Sequence, residues 1–152
     1  MTSRAGFAAI IGAPNAGKST LTNRLVGAKV SIVTQKVQTT RFPVRGVAIA
    51  GETQIVLVDT PGIFQPRRKL DRAMVRAAWG GAEDADAVVH LVDAAAEVAV
   101  QGPDAKPADR RAVADVEAIV EGLKKAGRKA ILALNKIDAV KRDQLLALSQ
   151  KL

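Results

Sequence analysis

The chain has 152 residues, of which 48% are hydrophobic and only 3% aromatic, and it contains no cysteine. This length suits a single domain with a core of Ala, Val, Ile and Leu, and the lack of cysteine excludes disulfides and thiolate metal sites. No apolar stretch reaches the ~18 residues of a membrane span and no signal-peptide pattern is present, so we expect a cytoplasmic protein. A formal net charge of +8 indicates an anionic partner, either RNA or a membrane surface, although a solvated basic face is an equally good interpretation.

The first predicted strand, Phe7–Ile11, leads into a complete G-x-x-x-x-G-K-[ST] phosphate-binding loop. Its glycines let backbone amides wrap around phosphate oxygens, and a helix predicted over Ser19–Val26 adds its positive N-terminal end. Lys18 can reach the β- and γ-phosphates, and the Ser19 hydroxyl can ligate Mg²⁺. An unliganded Gly-rich turn is the alternative. The residues of this loop that we expect to line a nucleotide site are Gly12, Ala13, Pro14, Asn15, Ala16, Gly17, Lys18 and Ser19.

A polar segment, Val30–Phe42, is predicted to be a mobile loop, and it precedes a hairpin. The hairpin strands are predicted at Val44–Ala50 and Gln54–Val58, so the first of them should be antiparallel to its neighbour. A D-T-P-G motif follows directly, in which Asp59 can hold Mg²⁺ through water and the Gly62 amide can bind the γ-phosphate. A Pro-Gly turn without a ligand is the alternative interpretation.

Helical and strand patterns alternate along the rest of the chain. Apolar patterns predict helices over Leu70–Glu83, Arg110–Lys125 and Lys141–Leu152. They predict strands over Ala87–Val92 and Ala130–Leu134. The segment Ala94–Asp109 is rich in Ala, Pro and Asp and is predicted to be a surface loop. We expect Trp79 to pack within the domain, and His90 to be a core or strand-end residue because no partner ligands share its spacing.

An N-K-x-D motif, Asn135–Asp138, follows the last predicted strand. The Asp138 carboxylate can accept hydrogen bonds from guanine N1 and from the exocyclic amine, and adenine offers neither donor at these positions. The stem of Lys136 can lie over the base, and the Asn135 side chain can brace the phosphate loop. Alone, such a motif is usually a turn or a helix cap. Paired with the phosphate loop, it predicts a site for a guanine nucleotide.

All three motifs follow the carboxyl ends of predicted strands, where open α/β sheets bind ligands. The order of elements predicts an α/β fold of the three-layer P-loop NTPase type, with a mostly parallel sheet and one antiparallel edge strand. We expect residues 1–152 to form one such domain. Each motif alone could be an ordinary turn, so their agreement on one sheet edge is the stronger argument.

The chain resembles the GTPase domain of the Era family of bacterial GTPases. Its loop Gly12–Thr20 matches the G-x-P-N-x-G-K-S-T of that family and its relatives, which include tRNA-modification and ribosome-assembly GTPases. The segment Lys29–Arg41 ends in Q-T-T-R, which is typical of Era, whereas the relatives tend to carry G-T-T-R-D or G-V-T-R-D. The resemblance covers nearly the whole chain.

The resemblance implies further roles for residues of the site. Thr40, in preference to Thr39, would ligate Mg²⁺ in the GTP state together with Ser19 and Asp59. Thr20 would contact the α-phosphate. The resemblance and the motif chemistry together imply catalytic roles for Asn15, Lys18, Thr40 and Gly62.

Two positions bear on the rate of hydrolysis that the resemblance implies. Asn15 resembles an asparagine that helps to hold a stimulating potassium ion, although it could merely shape the loop. Ile63 stands where Ras-like GTPases have a water-orienting Gln. Ile cannot bind a water, so we expect backbone groups of the loops to hold it and intrinsic hydrolysis to be slow.

The resemblance also implies partners for a longer parent protein. Era-like proteins act in small ribosomal subunit assembly and 16S rRNA maturation, and they bind that RNA through a KH domain that this chain lacks. The final strand and helix of the GTPase domain are lacking too, so we expect an exposed sheet edge and weaker guanine binding than in a longer chain. We expect a monomer in the cytoplasm, with peripheral binding at the inner membrane as an alternative.

Two functions therefore remain open. The first is a GTP-hydrolysing switch that depends on Mg²⁺. The second is a guanine-nucleotide-dependent binding module with negligible turnover, in which GTP only orders Val30–Thr40 and Ile63–Arg76 for a partner. The absence of a Gln at Ile63 keeps the second open, and a related tRNA-modification or ribosome-assembly GTPase is a further alternative.

Overall fold

The computed structural model of the chain describes residues 4–26, 44–58, 76, 79, 80, 82 and 85–152. Its strands run in the order β2-β3-β1-β4-β5 and are parallel except for the antiparallel pair of β2 with β3. The strands are β1 (Arg4–Gly12), β2 (Val44–Ala50), β3 (Thr53–Val58), β4 (Ala87–Asp93) and β5 (Ile131–Asn135). The helices are α1 (Lys18–Leu25), α2 (Ala94–Ala99), α3 (Pro107–Ala126) and α4 (Arg142–Lys151), with a 3-10 turn at Ile137–Ala139. The predicted α/β fold with one antiparallel edge strand is confirmed.

The central strand β1 is apolar because both of its faces are covered. Ile10 packs in a cluster with Leu57 and Leu91, whereas Ile11 packs in a second cluster with Val88 and Ile119. Adjacent residues of a strand point to opposite faces, so these neighbours serve two separate layers. The layers fix β1 in the middle of the sheet and place its carboxyl end next to those of β3 and β4.

The predicted surface loop over Ala94–Asp109 is wrong at both of its ends, whereas residues 100–106 between them are irregular and largely exposed, as predicted. Residues Ala94–Ala99 form helix α2, in which Ala94 and Ala96 are buried, and α3 begins at Pro107 rather than at Arg110. Alanine is the strongest helix former, and its small side chain lets a short helix pack closely against its neighbours. Proline also suits the first turn of a helix, where its missing amide costs nothing.

The described part of the predicted helix Leu70–Glu83 is helical at residues 76, 79, 80 and 82, and the rest of it lies outside the described residues, as does the predicted loop Val30–Phe42. Trp79 packs against the Ile11 cluster and against Gly122 of α3, where an added Cβ would lie 2.5 Å from the indole ring. The packing role predicted for Trp79 is therefore confirmed.

His90 is a buried core residue of β4, as predicted, with 3% of its surface exposed. It pairs with Ile11 of β1, and its Nε2 has no hydrogen-bond partner among the described residues. Burial lowers the pKa of His90 to about 4, because desolvation penalises the charged imidazolium. His90 is therefore a neutral core side chain and contributes nothing to the site described below.

No helix in the described part of the chain is long and apolar enough to cross a membrane.

Candidate nucleotide-binding site

The loop between β1 and α1 has the backbone geometry of an anion site. Asn15 and Gly17 have positive φ angles of 66° and 103°, and the Ala16 amide donates to the Ala13 carbonyl over 3.2 Å. Turns that combine left-handed and right-handed residues direct successive amides into one concavity. Ala13 and Ala16 are buried, while Pro14 and Asn15 are exposed. The loop is thus packed into the domain at Ala13 and Ala16 and exposed to solvent at Pro14 and Asn15.

Two glycines are required by close approaches within this loop. A Cβ at Gly12 would lie 2.7 Å from the Leu91 carbonyl oxygen of β4. A Cβ at Gly17 would collide with the Asn135 side-chain amide, and the positive φ of Gly17 is unfavourable for any other residue. The glycines predicted from the phosphate-loop motif therefore serve both the backbone turn and the packing of the loop on β4 and β5.

The Lys18 ammonium lies against the same loop. Lys18 Nζ donates to the Gly12 carbonyl over 3.2 Å and to the Ala13 carbonyl over 3.0 Å. The next two residues, Ser19 and Thr20, are exposed in the first turn of α1. Amides, an ammonium and two hydroxyls therefore share one helix terminus, which suits a phosphate chain and an Mg²⁺ ion bound partly by phosphate oxygens.

The N-K-x-D motif meets the phosphate loop directly, as predicted for Asn135. Asn135 Nδ2 donates to the Ala16 carbonyl over 2.9 Å, and Lys136 Nζ donates to the Asn15 carbonyl over 3.2 Å. These contacts join positions 119 and 121 residues apart in the chain. Parallel strands β1, β4 and β5 bring them together, since their carboxyl ends lie at one sheet edge.

Asp138 lies just beyond this junction, in the exposed 3-10 turn. Lys136, which precedes the turn, has a φ of 60°, so the chain reverses sharply after β5. A carboxylate on such a turn is accessible to a base that lies over the Lys136 stem. The structure therefore brings together the phosphate loop and the base-reading motif. The other predicted ligands, Thr40, Asp59 and Gly62, lie outside the described residues.

One residue of this region escaped the sequence reasoning. Asp93, the last residue of β4, accepts a hydrogen bond from Lys136 Nζ over 2.7 Å through Oδ2 and one from the Ala96 amide over 3.0 Å through Oδ1. An Asp that ends a buried strand, followed by three alanines, was the available signal, because such a residue is a good helix cap.

Beside the loop lies a crevice of about 210 Å³, lined in part by Pro14, Asn15, Ala96 and Glu97. The carboxyl group of Glu97 is buried, and this desolvation raises its pKa. Lys151 Nζ lies 3.9 Å from Glu97 Oε2, too far for a hydrogen bond. Within the described ranges, no group of three His, Asp or Glu side chains is arranged to hold a metal ion.

Comparison with known proteins adds the family. A sequence profile described as 50S ribosome-binding GTPase matches residues 7–136. The chain belongs to this GTPase family. The match begins in β1 and ends at Lys136, so it contains the phosphate loop together with Asn135 and Lys136 and stops before Asp138.

Individual relatives confirm the resemblance that the motifs carry. The chain is 74% identical to the GTPase Era of Caulobacter vibrioides over 97% of its own length and 46% of the relative. It is 64% identical to the GTPase Era of Maricaulis maris over 98% of its length and 48% of the relative. The chain therefore spans about half the length of these members of the GTPase family.

Solved structures with the same fold include two Era proteins. A variant of Aquifex aeolicus Era bound to GDP and aluminium fluoride shares 37% identity with a TM-score of 0.64, over 97% of this chain and 46% of that one. An Era complex with MgGDPNP and a fragment of 16S ribosomal RNA shares 35% identity with a TM-score of 0.67, over 99% of this chain and 47% of that one. The predicted P-loop fold is thus confirmed within the GTPase family.

Proposed function

We propose that the chain binds GTP and GDP with Mg²⁺ and hydrolyses GTP to GDP and phosphate as a molecular switch. The observation that carries this proposal is the pair of hydrogen bonds from Asn135 and Lys136 to the phosphate loop. They join the N-K-x-D motif to the phosphate-binding loop, which supports one continuous nucleotide site. Membership in a GTPase family and the 74% identity to an Era protein support it.

The phosphate end of the site supplies electrostatic stabilisation. The loop amides and the Lys18 ammonium neutralise charge on the β- and γ-phosphates, most strongly as charge develops on the transferring phosphoryl group. In this proposal Ser19, Thr40 and Asp59 hold Mg²⁺, and the Gly62 amide binds the γ-phosphate. Thr20 contacts the α-phosphate. When bound, Mg²⁺ would supply charge neutralisation at the phosphates.

The base end of the site selects guanine. The Asp138 carboxylate is exposed in its turn and can accept two hydrogen bonds from guanine N1 and its exocyclic amine. Adenine presents an acceptor at N1 and has no amine at C2, so a carboxylate there would be desolvated without compensation. Such a loss costs about 1–3 kcal/mol or more for a charged group. The proposal therefore includes strong discrimination against ATP.

Hydrolysis should be slow in the isolated chain. Ile63 stands where a water-orienting Gln would be expected, so the attacking water depends on backbone groups and ions. We include a potassium ion near the exposed Asn15 as part of the proposal, and equal hydrolysis rates in potassium and sodium chloride would overturn it. If turnover is negligible in both salts, Ile63 favours the second candidate, a nucleotide-dependent binding module.

The relatives also support a proposal for a longer parent protein. One Era neighbour is bound to 16S ribosomal RNA, so we propose that a parent of this chain acts in small ribosomal subunit assembly in the cytoplasm. RNA contact would come chiefly from a KH domain outside this chain. Binding of the chain itself to RNA or to an anionic membrane through its +8 charge is a weaker part of the proposal.

A competition titration tests the proposal. Fluorescent GDP is titrated with the 152-residue chain and Mg²⁺, and the complex is competed with GTP and with ATP. Displacement by GTP alone is expected, whereas displacement by both would remove the guanine-reading role of Asp138. The matched variant Asp138→Asn should lose GDP and gain xanthosine diphosphate, because its amide can donate to the xanthine C2 oxygen. Phosphate release in both salts then separates the switch from the binding module.

A further inference from the structure

Asp93 uses both of its carboxylate oxygens at once. Oδ1 accepts the Ala96 amide over 3.0 Å, which caps helix α2, and Oδ2 accepts Lys136 Nζ over 2.7 Å. Only 17% of the Asp93 side chain is exposed, against 43% of Lys136. A carboxylate fixed by a backbone amide and largely shielded from water offers the ammonium a rigid partner, which an exposed ion pair does not.

The Lys136 ammonium passes this constraint on to the phosphate loop. Its Nζ lies between Asp93 Oδ2 and the Asn15 carbonyl, with the second hydrogen bond 3.2 Å long. Both Lys136 and Asn15 have left-handed backbone angles, which are uncommon outside glycine. The four-carbon stem of Lys136 is therefore held at both ends, by its backbone and by its ammonium.

We propose that Asp93 is a positioning residue for guanine nucleotide binding. It holds Lys136 so that the stem is already in place for the purine ring, and so that the ammonium keeps the Asn15 carbonyl and the phosphate loop in their binding geometry. A side chain that is ordered before the ligand arrives loses no rotamer freedom on binding. This inference rests on the proposed function and adds to it a residue outside the nucleotide-binding motifs.

The competing explanation is that Asp93 merely caps α2. The two roles are separable because capping needs only an acceptor near the Ala96 amide. Asp93→Ser keeps a good cap but is too short to reach Lys136, and Asp93→Asn keeps the cap and the length but loses the charge. A capping role predicts unchanged GDP affinity for both variants. A positioning role predicts weaker binding for both at nearly unchanged thermal stability.

The experiment measures the Kd of fluorescent GDP with Mg²⁺ for the wild-type chain and its variants. We expect Asp93→Ser and Asp93→Asn to weaken binding about tenfold, the upper end for one immobilised side chain. Lys136→Met keeps an apolar stem that cannot bind Asp93. Adding Asp93→Ser to Lys136→Met should therefore change the Kd less than about twofold, by the logic of a double-mutant cycle.

The matched control is Asp109→Asn, which changes the carboxylate that accepts the Lys106 amide over 3.0 Å at the start of α3. It should leave the Kd unchanged. Wild-type Kd values in both Asp93 variants, with folding verified by circular dichroism, would overturn the positioning role while the proposed function stands. A full tenfold effect of Asp93→Ser in the Lys136→Met background would also overturn it. If the wild-type chain binds no GDP at all, the proposed function fails and this role fails with it.

Discussion

Two strand-to-helix junctions lie at the same edge of the sheet and are built in opposite ways. Between β1 and α1 the chain forms a loop, and α1 starts after Gly17 without a side-chain cap. Between β4 and α2 there is no loop, because Asp93 both ends the strand and caps the helix. The first helix end is therefore available to an anion from outside, whereas the second is already satisfied by a carboxylate of the protein.

This difference shows that a helix N-terminus is not by itself a phosphate site. The β1–α1 junction becomes one because left-handed residues at Asn15 and Gly17 shape its backbone and because, among the residues that the structure describes, no side chain caps the start of α1. The two junctions are nevertheless connected, since Lys136 bonds to the Asn15 carbonyl on one side and to Asp93 on the other. Changes at either junction should then be felt at the other.

The largest effect should come from Gly17→Ala in the uncapped junction between β1 and α1, which we call the open junction. Gly17 has a φ of 103°, and an added Cβ would collide with the Asn135 amide, so the loop must shift away from β5. We expect GDP affinity to fall about 100-fold or more, from strain and loss of the Asn135 contact together. Titration with fluorescent GDP measures it.

Gly51→Ala is the matched control for this variant. Gly51 also has a positive φ, of 60°, but, its chain neighbours apart, no atom of the described part of the chain lies within 4 Å of an added Cβ. The control should lose about 1 kcal/mol of stability and keep its GDP affinity. If Gly17→Ala behaves in the same way, the open junction is not shaped by its close approach to Asn135.

The strands that precede the two junctions also differ, because only β4 is expected to make stability depend on pH through a buried histidine. β1 contributes buried apolar residues, whereas β4 carries His90, the only histidine of the chain. The pKa of His90 is about 4 in the fold and 6.5 when unperturbed. Well above pH 6.5 the imidazole is neutral in both the folded and the unfolded chain. As the pH falls from 6.5 towards 4, the unfolded chain takes up a proton that the folded chain refuses, so stability falls, by about 3 kcal/mol in all.

Urea unfolding between pH 7.5 and 4 tests this expectation. The raised pKa of Glu97 acts in the opposite direction, since the folded state takes up its proton more readily than the unfolded chain. The difference between the wild-type chain and His90→Leu isolates the histidine contribution, because Glu97 is common to both. Parallel pH dependence of the two proteins would show that His90 is not protonated on unfolding.

How far the sequence predicts the molecule differs between the same two junctions. The phosphate loop is local: its glycines, Lys18 and Ser19 stand in one contiguous motif, so its geometry could be read directly. The β4–α2 junction depends on packing instead. Alanine carries no periodic signal of its own, and only the folded sheet shows that Ala94 and Ala96 are buried.

The base-reading motif lies between these extremes. The contact of Asn135 with the phosphate loop was predicted, since motif spacing and parallel strands imply it, and the hydrogen bond to the Ala16 carbonyl confirms it. The contact of Lys136 with Asp93 was not predicted, because it joins residues 43 positions apart through a strand end that no motif marks. The roles of Thr40, Asp59 and Gly62 remain predictions.

A smaller effect is expected from Asn135→Ala, which removes the direct link between β5 and the open junction. The Ala16 carbonyl would lose its donor in a buried position, at a cost of about 2 kcal/mol. Thermal or urea unfolding measures this loss, and GDP binding should weaken about tenfold as the loop loosens. Unchanged stability with weaker binding would instead mean that Asn135 acts on the nucleotide alone.

The smallest effect on stability should come from Asp93→Ala in the junction between β4 and α2. Loss of a helix cap typically costs about 1 kcal/mol, and the partly exposed ion pair with Lys136 adds little to the free energy of unfolding. The Lys136→Met variant removes that ion pair but keeps the cap, so it should be nearly as stable as the wild-type chain. If Lys136→Met instead loses as much stability as Asp93→Ala, the charge contact holds the junction more than the cap does. The N-terminus of α2 would then be stabilised chiefly by its link to the phosphate loop through Lys136, and the two helix ends would differ less than their caps suggest.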